Sequence, residues 1–517
     1  MSNLAGRIAT VSKRIVWFVA VLVVVGGLLS CAKQEQQAVP QNKADRDPRN
    51  ILLSHEGADR KVGEAAAEEV KSEMGLYEDP SITKYVNTLG RRLVAYAPRR
   101  SFDYKFLIVD QDIPNAFALP GGFIYLSRGL LALSNSEDEL ANVLSHEISH
   151  VAARHASGRQ TISQRGKLLG LPGAVLGAVF GENVGERVAK SITLTNPGYI
   201  AAYSRAQENA ADRVGQKTIS RAGFDPGGLA SFLQGLEATV RLKFGRSRIP
   251  GFFDTHPTTP RRAAAASSYA QTLSWSRRRG IAEDRRDFLS KLDGLIVGEN
   301  PAEGVFRGDR FLHSGLKFSL QFPKGWEVQN TRHAVNSRSS DRKSTFVLEM
   351  DSEGQDAKSA ANNYVITKAG KQGFQPISGR SIRLGSLDAF RLSGKATAAQ
   401  NRILDIEMTF IAFGGRIYRV TGTTQEGVFA RHKGTFRSAV RSFRALTKKE
   451  LESIQVTRLK ISRAKLDETL SDLSKRTGNT WTLQKTAVFN GLSPNASLDE
   501  GQMVKVALQE PYNEISE

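Results

Sequence analysis

The stretch Leu140-Ala-Asn-Val-Leu-Ser-His146-Glu147-Ile-Ser-His150-Val151 constrains this chain more than any other. It contains His-Glu-x-x-His. On a helix, side chains four apart lie on one face, so His146 and His150 can present their imidazoles to one ion. Glu147 follows the first of them and can lean over the same point to hold a water. Two nitrogen ligands, an open position and a carboxylate base are what a zinc peptidase needs. The helix has independent support. Ser136 can cap its first turn, and Glu139 three residues on completes a capping box. Leu140, Val143, Leu144 and Val151 recur at helical spacing and predict a half-buried helix. His155 lies five residues past His150, rotates off that face and reads as structural.

A zinc held by two His needs a third protein ligand from another element. The run from Tyr203 to Arg213 supplies candidates on a second helical pattern. Glu208 as third ligand, with Asp212 one turn on as acceptor for the far nitrogen of a ligand His, is the economical assignment. One zinc ion is the expected cofactor.

The N-terminus, residues 1–31, reads as a targeting segment. Arg7, Lys13 and Arg14 precede an apolar run from Ile15 to Leu29 that is too short for a comfortable membrane span. The run leads into Leu28-Leu29-Ser30-Cys31, and Cys31 is the one cysteine of the chain, which excludes an internal disulfide. The pattern resembles a bacterial lipobox. That resemblance implies lipidation of Cys31, a membrane partner and a place on the periplasmic side of the envelope. Ala32, where an Asp would direct retention at the inner membrane, implies the outer membrane. A plain secretory signal or an uncleaved anchor is the alternative. Residues 32–50 are polar and read as a flexible tether.

At 517 residues the chain predicts three or four domains. Lys and Arg number 72 against 52 Asp and Glu, a net charge of +20. They are spread along the chain and cluster only at Arg277–Arg279 and Arg285–Arg286. No aromatic-basic motif accompanies them, so a nucleic-acid partner is not expected; a solvated surface comes first, attraction to anionic lipid or wall polymer second.

Upstream of the metal helix, residues 51–97 have a helical pattern broken at Asp79-Pro80-Ser81. Tyr104 to Val109 reads as a strand. Two short strands follow, interrupted at Pro120-Gly121-Gly122. Ala116, Phe117, Ala118 and Leu119 can form an edge to which an extended substrate adds itself, or one side of an ordinary hairpin. Leu168 to Gly181 is apolar and Gly-rich, a mobile flap or a buried helix pair. Gly280 to Gly304 is charged and carries linker signals.

The run Asp254-Thr-His256-Pro-Thr-Thr-Pro-Arg-Arg262 completes an ordered set. Asn-Ala-Phe-Ala-x-Pro-Gly-Gly, His-Glu-x-x-His, Glu-x-x-x-Asp and Thr-His-Pro-x-x-x-x-Arg, in that order, resemble metallopeptidase family 48. The resemblance implies a gluzincin fold over residues 51–293, zinc on His146, His150 and Glu208, and Glu147 as general base. It places the family's late His-Pro loop on His256, which either holds the site shut or assists the reaction. The closing arginine falls on Arg262, with Arg261 an adjacent rival. Envelope proteins are the implied substrates. With no second long apolar segment, the chain resembles the soluble periplasmic branch, and prenylated substrates are not expected.

Residues 305–446 predict an α+β module. Its Phe-Pro-x-Gly-Trp326 opening and Ser442-Phe443 close resemble PsbP-like domains, which implies docking without chemistry. Residues 452–510 read strand, helix, helix, strand and resemble a LysM module, which implies peptidoglycan as partner. Leu466-Asp467-Glu468 stands where that family opens with Gly-Asp; an appendage that only packs on its neighbour is the alternative. The expected fold class is thus α+β multidomain. A mainly helical gluzincin unit with a small sheet is followed by an α+β module and a βααβ module. The expected function is a zinc metalloendopeptidase of the bacterial envelope acting on misfolded or stalled envelope and outer-membrane proteins. The alternative is a proteolytically latent assembly or chaperone factor tethered to the wall.

Overall fold

Two helices open the described part of the chain, α1 (Pro48–Met74) and α2 (Pro80–Val94). The computed structural model describes residues 48–98, 101–155, 203–240, 242, 256, 260–369, 373–397 and 402–512. Cys31, most of the tether and the Leu168–Gly181 stretch lie outside the described residues. The break predicted at Asp79-Pro80 is an N-cap: the Asp79 side chain accepts from the Ser81 and Ile82 N–H groups, and Pro80 opens the helix. α2 turns Ile82, Val86, Leu89 and Leu93 into the core.

Strands β1 (Lys105–Val109), β2 (Ala116–Ala118) and β3 (Phe123–Ser127) form a sheet in the order β1-β3-β2, with β1 parallel and β2 antiparallel to β3. The turn between β2 and β3 needs its glycines. Gly121 and Gly122 have φ of 81° and 101°. A Cβ on either would approach the backbone of Arg60 or Asp103 to 2.8 or 2.9 Å. Ala66 and Val70 of α1 pack on Val109, Phe117, Leu119 and Tyr125.

The helices that follow are α3 (Arg128–Leu133), α4 (Glu137–Ala152), α5 (Arg205–Ala222), α6 (Gly228–Val240) and α7 (Pro260–Gln271). α5 crosses α4 at Gly215. A Cβ there would stand 3.3 Å from the His146 backbone N, and Ser145 Oγ donates to the Gly215 carbonyl at 3.0 Å. A side chain would wedge the two site-bearing helices apart.

The stretch expected as a linker is instead packed. Helix α8 (Arg285–Lys291) lies inside it, and Phe288, Leu289 and Leu292 are fully buried. The charges that suggested a linker sit on the outer side; apolar residues among them face the core.

The middle module's strands include β4 (Val305–Arg307), β5 (Arg310–His313), β6 (Phe318–Gln321), β7 (Glu327–Asn330), β8 (Ala334–Arg338) and β14 (Arg444–Ala445). β4, β5, β6 and β14 form a four-stranded sheet in the order β14-β6-β5-β4, and β7 and β8 join five longer strands in a seven-stranded antiparallel sheet in the order β10-β11-β12-β13-β9-β8-β7. Strand β9 spans Ser344–Glu353, β12 Ile403–Phe413 and β13 Arg416–Gln425. The hairpin of β10 (Phe374–Leu384) and β11 (Leu387–Thr397) was not expected. β10 is a sheet edge whose residues are mostly exposed, so it lacks the apolar alternation that marks a strand. Helix α9 starts at Ala357, capped by Asp356, and runs to Tyr364. The last helix of the module, α10, spans Phe429–Arg441 and leaves Phe443 beyond its end.

The C-terminal part has the expected βααβ order: β15 (Gln455–Arg463), α12 (Leu470–Thr477), α13 (Leu483–Asn490) and β16 (Met503–Pro511), preceded by the short α11 (Lys448–Glu452). It does not stand apart from the first unit. Gly294 N and Val297 N donate to Leu459 O and Thr457 O at 2.8 and 2.9 Å, adding a strand-like segment to β15. Trp481, Val488 and Phe489 share one core cluster with Leu140, Leu144 and Phe288. Among the described residues no helix is long and apolar enough to cross a membrane.

Candidate metal centre

Helix α4 starts as expected and with one difference. Ser136 accepts from the Glu139 N–H at 3.2 Å. The returning Glu139 carboxylate takes the Asn135 N–H at 2.7 Å, one residue earlier than a capping box would place it. Three acidic residues in the first turn suit the helix N-terminus. Two and a half turns on, His146, Glu147 and His150 are all buried.

Ligand atoms of His146, His150, Glu208 and His256 lie within 4.8 Å of one another. His146 Nε2 stands 3.0 Å from His150 Nε2 and 3.7 Å from Glu208 Oε2. His150 Nε2 is 3.3 Å from Glu208 Oε1. His256 Nδ1 is 2.9 Å from Glu208 Oε1 and 3.3 Å from His146 Nε2. Ligands about 2.0–2.1 Å from a tetrahedral zinc stand about 3.4 Å apart. The four atoms thus surround a point at zinc-ligand distance. Glu147 is fully buried; neither carboxylate oxygen has a hydrogen-bond partner, and Oε1 has only an ion-pair contact with His256 Nε2 at 3.4 Å. A buried carboxylate left so is costly unless something else occupies the site. Donor set, spacing and a buried carboxylate without hydrogen bonds together fit a metal.

The supporting contacts separate the roles of the carboxylates. His146 Nδ1 lies 2.9 Å from Asp212 Oδ1. Asp212 is one turn beyond Glu208 on α5 and lies behind the imidazole, on the side away from His150 Nε2 and Glu208. Arg262 at the start of α7 donates Nε and Nη2 to the two Asp212 oxygens, each at 2.7 Å, and its Nη1 stands 2.5 Å from Glu208 Oε2. Arg262 is buried and Arg261 exposed, which decides between the two. Arg262 therefore holds the ligand carboxylate and its neighbour in place.

Electrostatics follow from this geometry. Burial pushes the Glu147 carboxyl above its ordinary range, against the pull of His256 and His146. Burial acts the same way on Glu208, but His256, His150 and His146 outweigh it and hold that carboxylate far below its ordinary range. Burial drives His150 toward its neutral, ligating form. In His146 burial is overcome by Asp212 and Glu208.

β2 is an edge of its sheet, and Ala116, Phe117, Ala118 and Leu119 are all buried beside α4. His256 reaches the cluster although Asp254 and Pro257 beside it lie outside the described residues. Two contacts escaped the sequence reading. Tyr203, immediately before the Ser204 cap of α5, stacks on His150 with ring centroids 3.7 Å apart at 27°. His155, read as structural, puts its Nδ1 3.0 Å from His150 Nδ1. The chain leaves the helix at Arg154, where φ is 53°, and this turns His155 back to the ligand's far nitrogen. Periodicity carries no trace of a residue that acts after its helix has ended.

Two histidines and a glutamate around one point, with a carboxylate over it, on a helix packed against a small sheet, define a metallopeptidase unit. Residues 80–270 match the model of peptidase family M48. The beta-barrel assembly-enhancing protease of Escherichia coli (strain K12) is 32% identical over 221 residues, 42% of this chain and 45% of that protein. Its Yersinia pestis counterpart is 34% identical over 216 residues, 41% of this chain and 44% of the relative. The mitochondrial metalloendopeptidase OMA1 of Schizosaccharomyces pombe is 28% identical over 254 residues, 48% of this chain and 70% of the relative. The chain thus spans under half the length of the bacterial relatives. Among solved structures, PsbP of Synechocystis sp. PCC 6803 covers 29% of this chain and 98% of its own, at 14% identity and TM-score 0.23.

Proposed function

We propose that the chain is a zinc-dependent metalloendopeptidase of the bacterial cell envelope. The observation that carries this is the buried His146, His150, Glu208 and His256 cluster beside the Glu147 carboxylate, which is fully buried and makes no hydrogen bond. Bound at this cluster, zinc would polarise the scissile carbonyl and acidify a water. Glu147 would accept that water's proton and deliver it to the leaving amine. Asp212 holds the tautomer of His146. Tyr203 covers one face of His150 and keeps water from it. Substrate would extend along the edge strand β2, from Ala116 to Leu119, once the groups that bury it move aside.

His256 takes the place that substrate and water need, so the reading adopted is latency: the His-Pro loop must leave before cleavage. The names of the bacterial relatives support envelope proteins, misfolded or stalled in assembly, as substrates. The apolar run ending at Cys31 supports a lipid anchor on the periplasmic face of the outer membrane. The βααβ module supports peptidoglycan contact, and the middle module docking. The second reading, an assembly factor held shut, is favoured by the same His256 contact.

Metal content by mass spectrometry and casein cleavage with and without chelator test the enzyme reading. One zinc per chain and chelator-sensitive cleavage are expected; a metal-free protein that still cuts casein rejects it. Cys31→Ala should abolish palmitate labelling, and labelling that persists removes the lipobox reading.

A further inference from the structure

Lys505 of β16 is fully buried. An ammonium out of water is costly unless its N–H groups are all engaged. Lys505 Nζ donates to three successive carbonyls, Ala132 at 2.7 Å, Leu133 at 3.2 Å and Ser134 at 2.8 Å. These are the carbonyls at the C-terminal end of α3, which a helix cannot satisfy by itself. Burial pulls the ammonium below its ordinary range, Glu139 opposes that pull, and Arg285 adds to it.

The position of these carbonyls gives the contact its meaning. Ser134, Asn135 and Ser136 are all that separates α3 from α4. Glu139 holds this elbow from the α4 side through the Asn135 N–H. Lys505 holds it from the other side. The lysine is itself clamped: its N–H donates to Asn490 Oδ1 at 2.7 Å, and Asn490 Nδ2 returns to its carbonyl at 2.9 Å. Asn490 ends α13, whose Val488 and Phe489 lie in the core cluster that contains Leu140 and Leu144 of α4. The chain from Lys505 to the elbow is therefore hydrogen-bonded or packed at every link, and α4 carries His146, Glu147 and His150 on one helix.

We propose that Lys505 is a positioning residue for the metal centre: the C-terminal βααβ module sets the entry of the metal helix through this ammonium. The module is then a working part of the catalytic unit, whatever else it binds. The proposal rests on the peptidase reading for its kinetic test but not for its structural one.

The test uses the full chain. Lys505→Met keeps length and removes the ammonium; Lys475→Met, at an exposed lysine of α12, is the control. Lys505→Met should weaken zinc affinity, read against a competing chelator, by about tenfold, and lower kcat by about tenfold at unchanged KM, as small misplacements of reacting groups do. Lys475→Met should change neither. Asn490→Ser, which loosens the clamp, should move both quantities the same way and less. A folded Lys505→Met protein with wild-type zinc affinity and kcat overturns the proposal, whatever its melting temperature. If Lys505→Met does not fold, unchanged zinc affinity and kcat in a folded Asn490→Ser protein overturn it equally. If the wild-type chain neither holds zinc nor cuts, the peptidase reading fails instead. Hydrogen exchange then decides for Lys505: faster exchange across residues 137–146 than across β1 supports it, and equal exchange overturns it.

Discussion

The two halves of α4 treat buried charge in opposite ways. At the entry the backbone groups are matched, with Asn135 Oδ1 the one side-chain exception at the elbow: Lys505 donates to three carbonyls, the Asn135 N–H to Glu139 and the Glu139 N–H to Ser136. Two and a half turns on, Glu147 is fully buried with neither oxygen hydrogen-bonded and only His256 within ion-pair distance, and three histidines crowd one glutamate. A region that only holds shape satisfies its polar atoms. A region kept for chemistry leaves some of them for what is to be bound. The difference marks the metal centre within a helix whose burial is uniform along its length.

The largest effect should follow from removing the third ligand. Glu208→Ala leaves two His on the protein, fewer than a catalytic zinc ordinarily keeps, so most bound zinc and all measurable hydrolysis should be lost. If instead zinc stays and the Asp212 variant loses it, the two carboxylates have exchanged roles.

Glu147→Gln keeps shape and removes the proton acceptor. Hydrolysis should fall by on the order of a hundredfold or more while zinc content is unchanged. Undiminished proteolysis would take Glu147 out of the mechanism. Asp212→Ala should weaken zinc by roughly tenfold to a hundredfold through the freed His146 ring, measured against a competing chelator.

A control for the comparison lies far from the metal. Burial holds His313 in β5 (Arg310–His313) down at about 4, with Arg416 adding to the effect, and its Nδ1 accepts from the Leu316 N–H. A base depressed in this way favours the neutral ring. Its stabilisation is complete above pH of about 6.5 and is lost as pH falls from there toward 4. The metal-free protein should lose roughly 2 kcal/mol over that window, and His313→Gln should lose much less of it. Identical acid profiles for the two proteins, followed by circular dichroism, would assign the loss to other groups.

The smallest effect concerns His256. If it shuts the site at rest, His256→Ala should raise proteolysis and self-cleavage several-fold, within the about tenfold that one displaced ligand contact supplies. A zinc-loaded variant less active on every substrate would make His256 an aid to the reaction instead.

Much of this centre could be read from spacing. His146 and His150 four apart, and Glu208 and Asp212 four apart, are local geometry on two helices, and the structure brings the four together. The Pro120-Gly121-Gly122 break and the βααβ order of the tail are likewise local, set by turn residues and period. The helix α8 was misread because Arg285, Arg286 and Asp287 mask an apolar set that only its neighbours reveal. β10 was missed because an exposed edge strand has no face that must be apolar.

What the sequence by itself determined is the donor set, the helices that carry it and the order of the parts, because each depends on residues a few positions apart. Only the tertiary structure decided that His256 enters the cluster, 106 residues beyond His150, and that Arg262 rather than Arg261 grips Glu208 and Asp212. It alone turned His155 and Tyr203 onto His150, and put Lys505 against the elbow of α4, 373 residues away from Ala132. Such contacts are fixed by packing between elements, where no periodicity or spacing in the chain records who will meet whom.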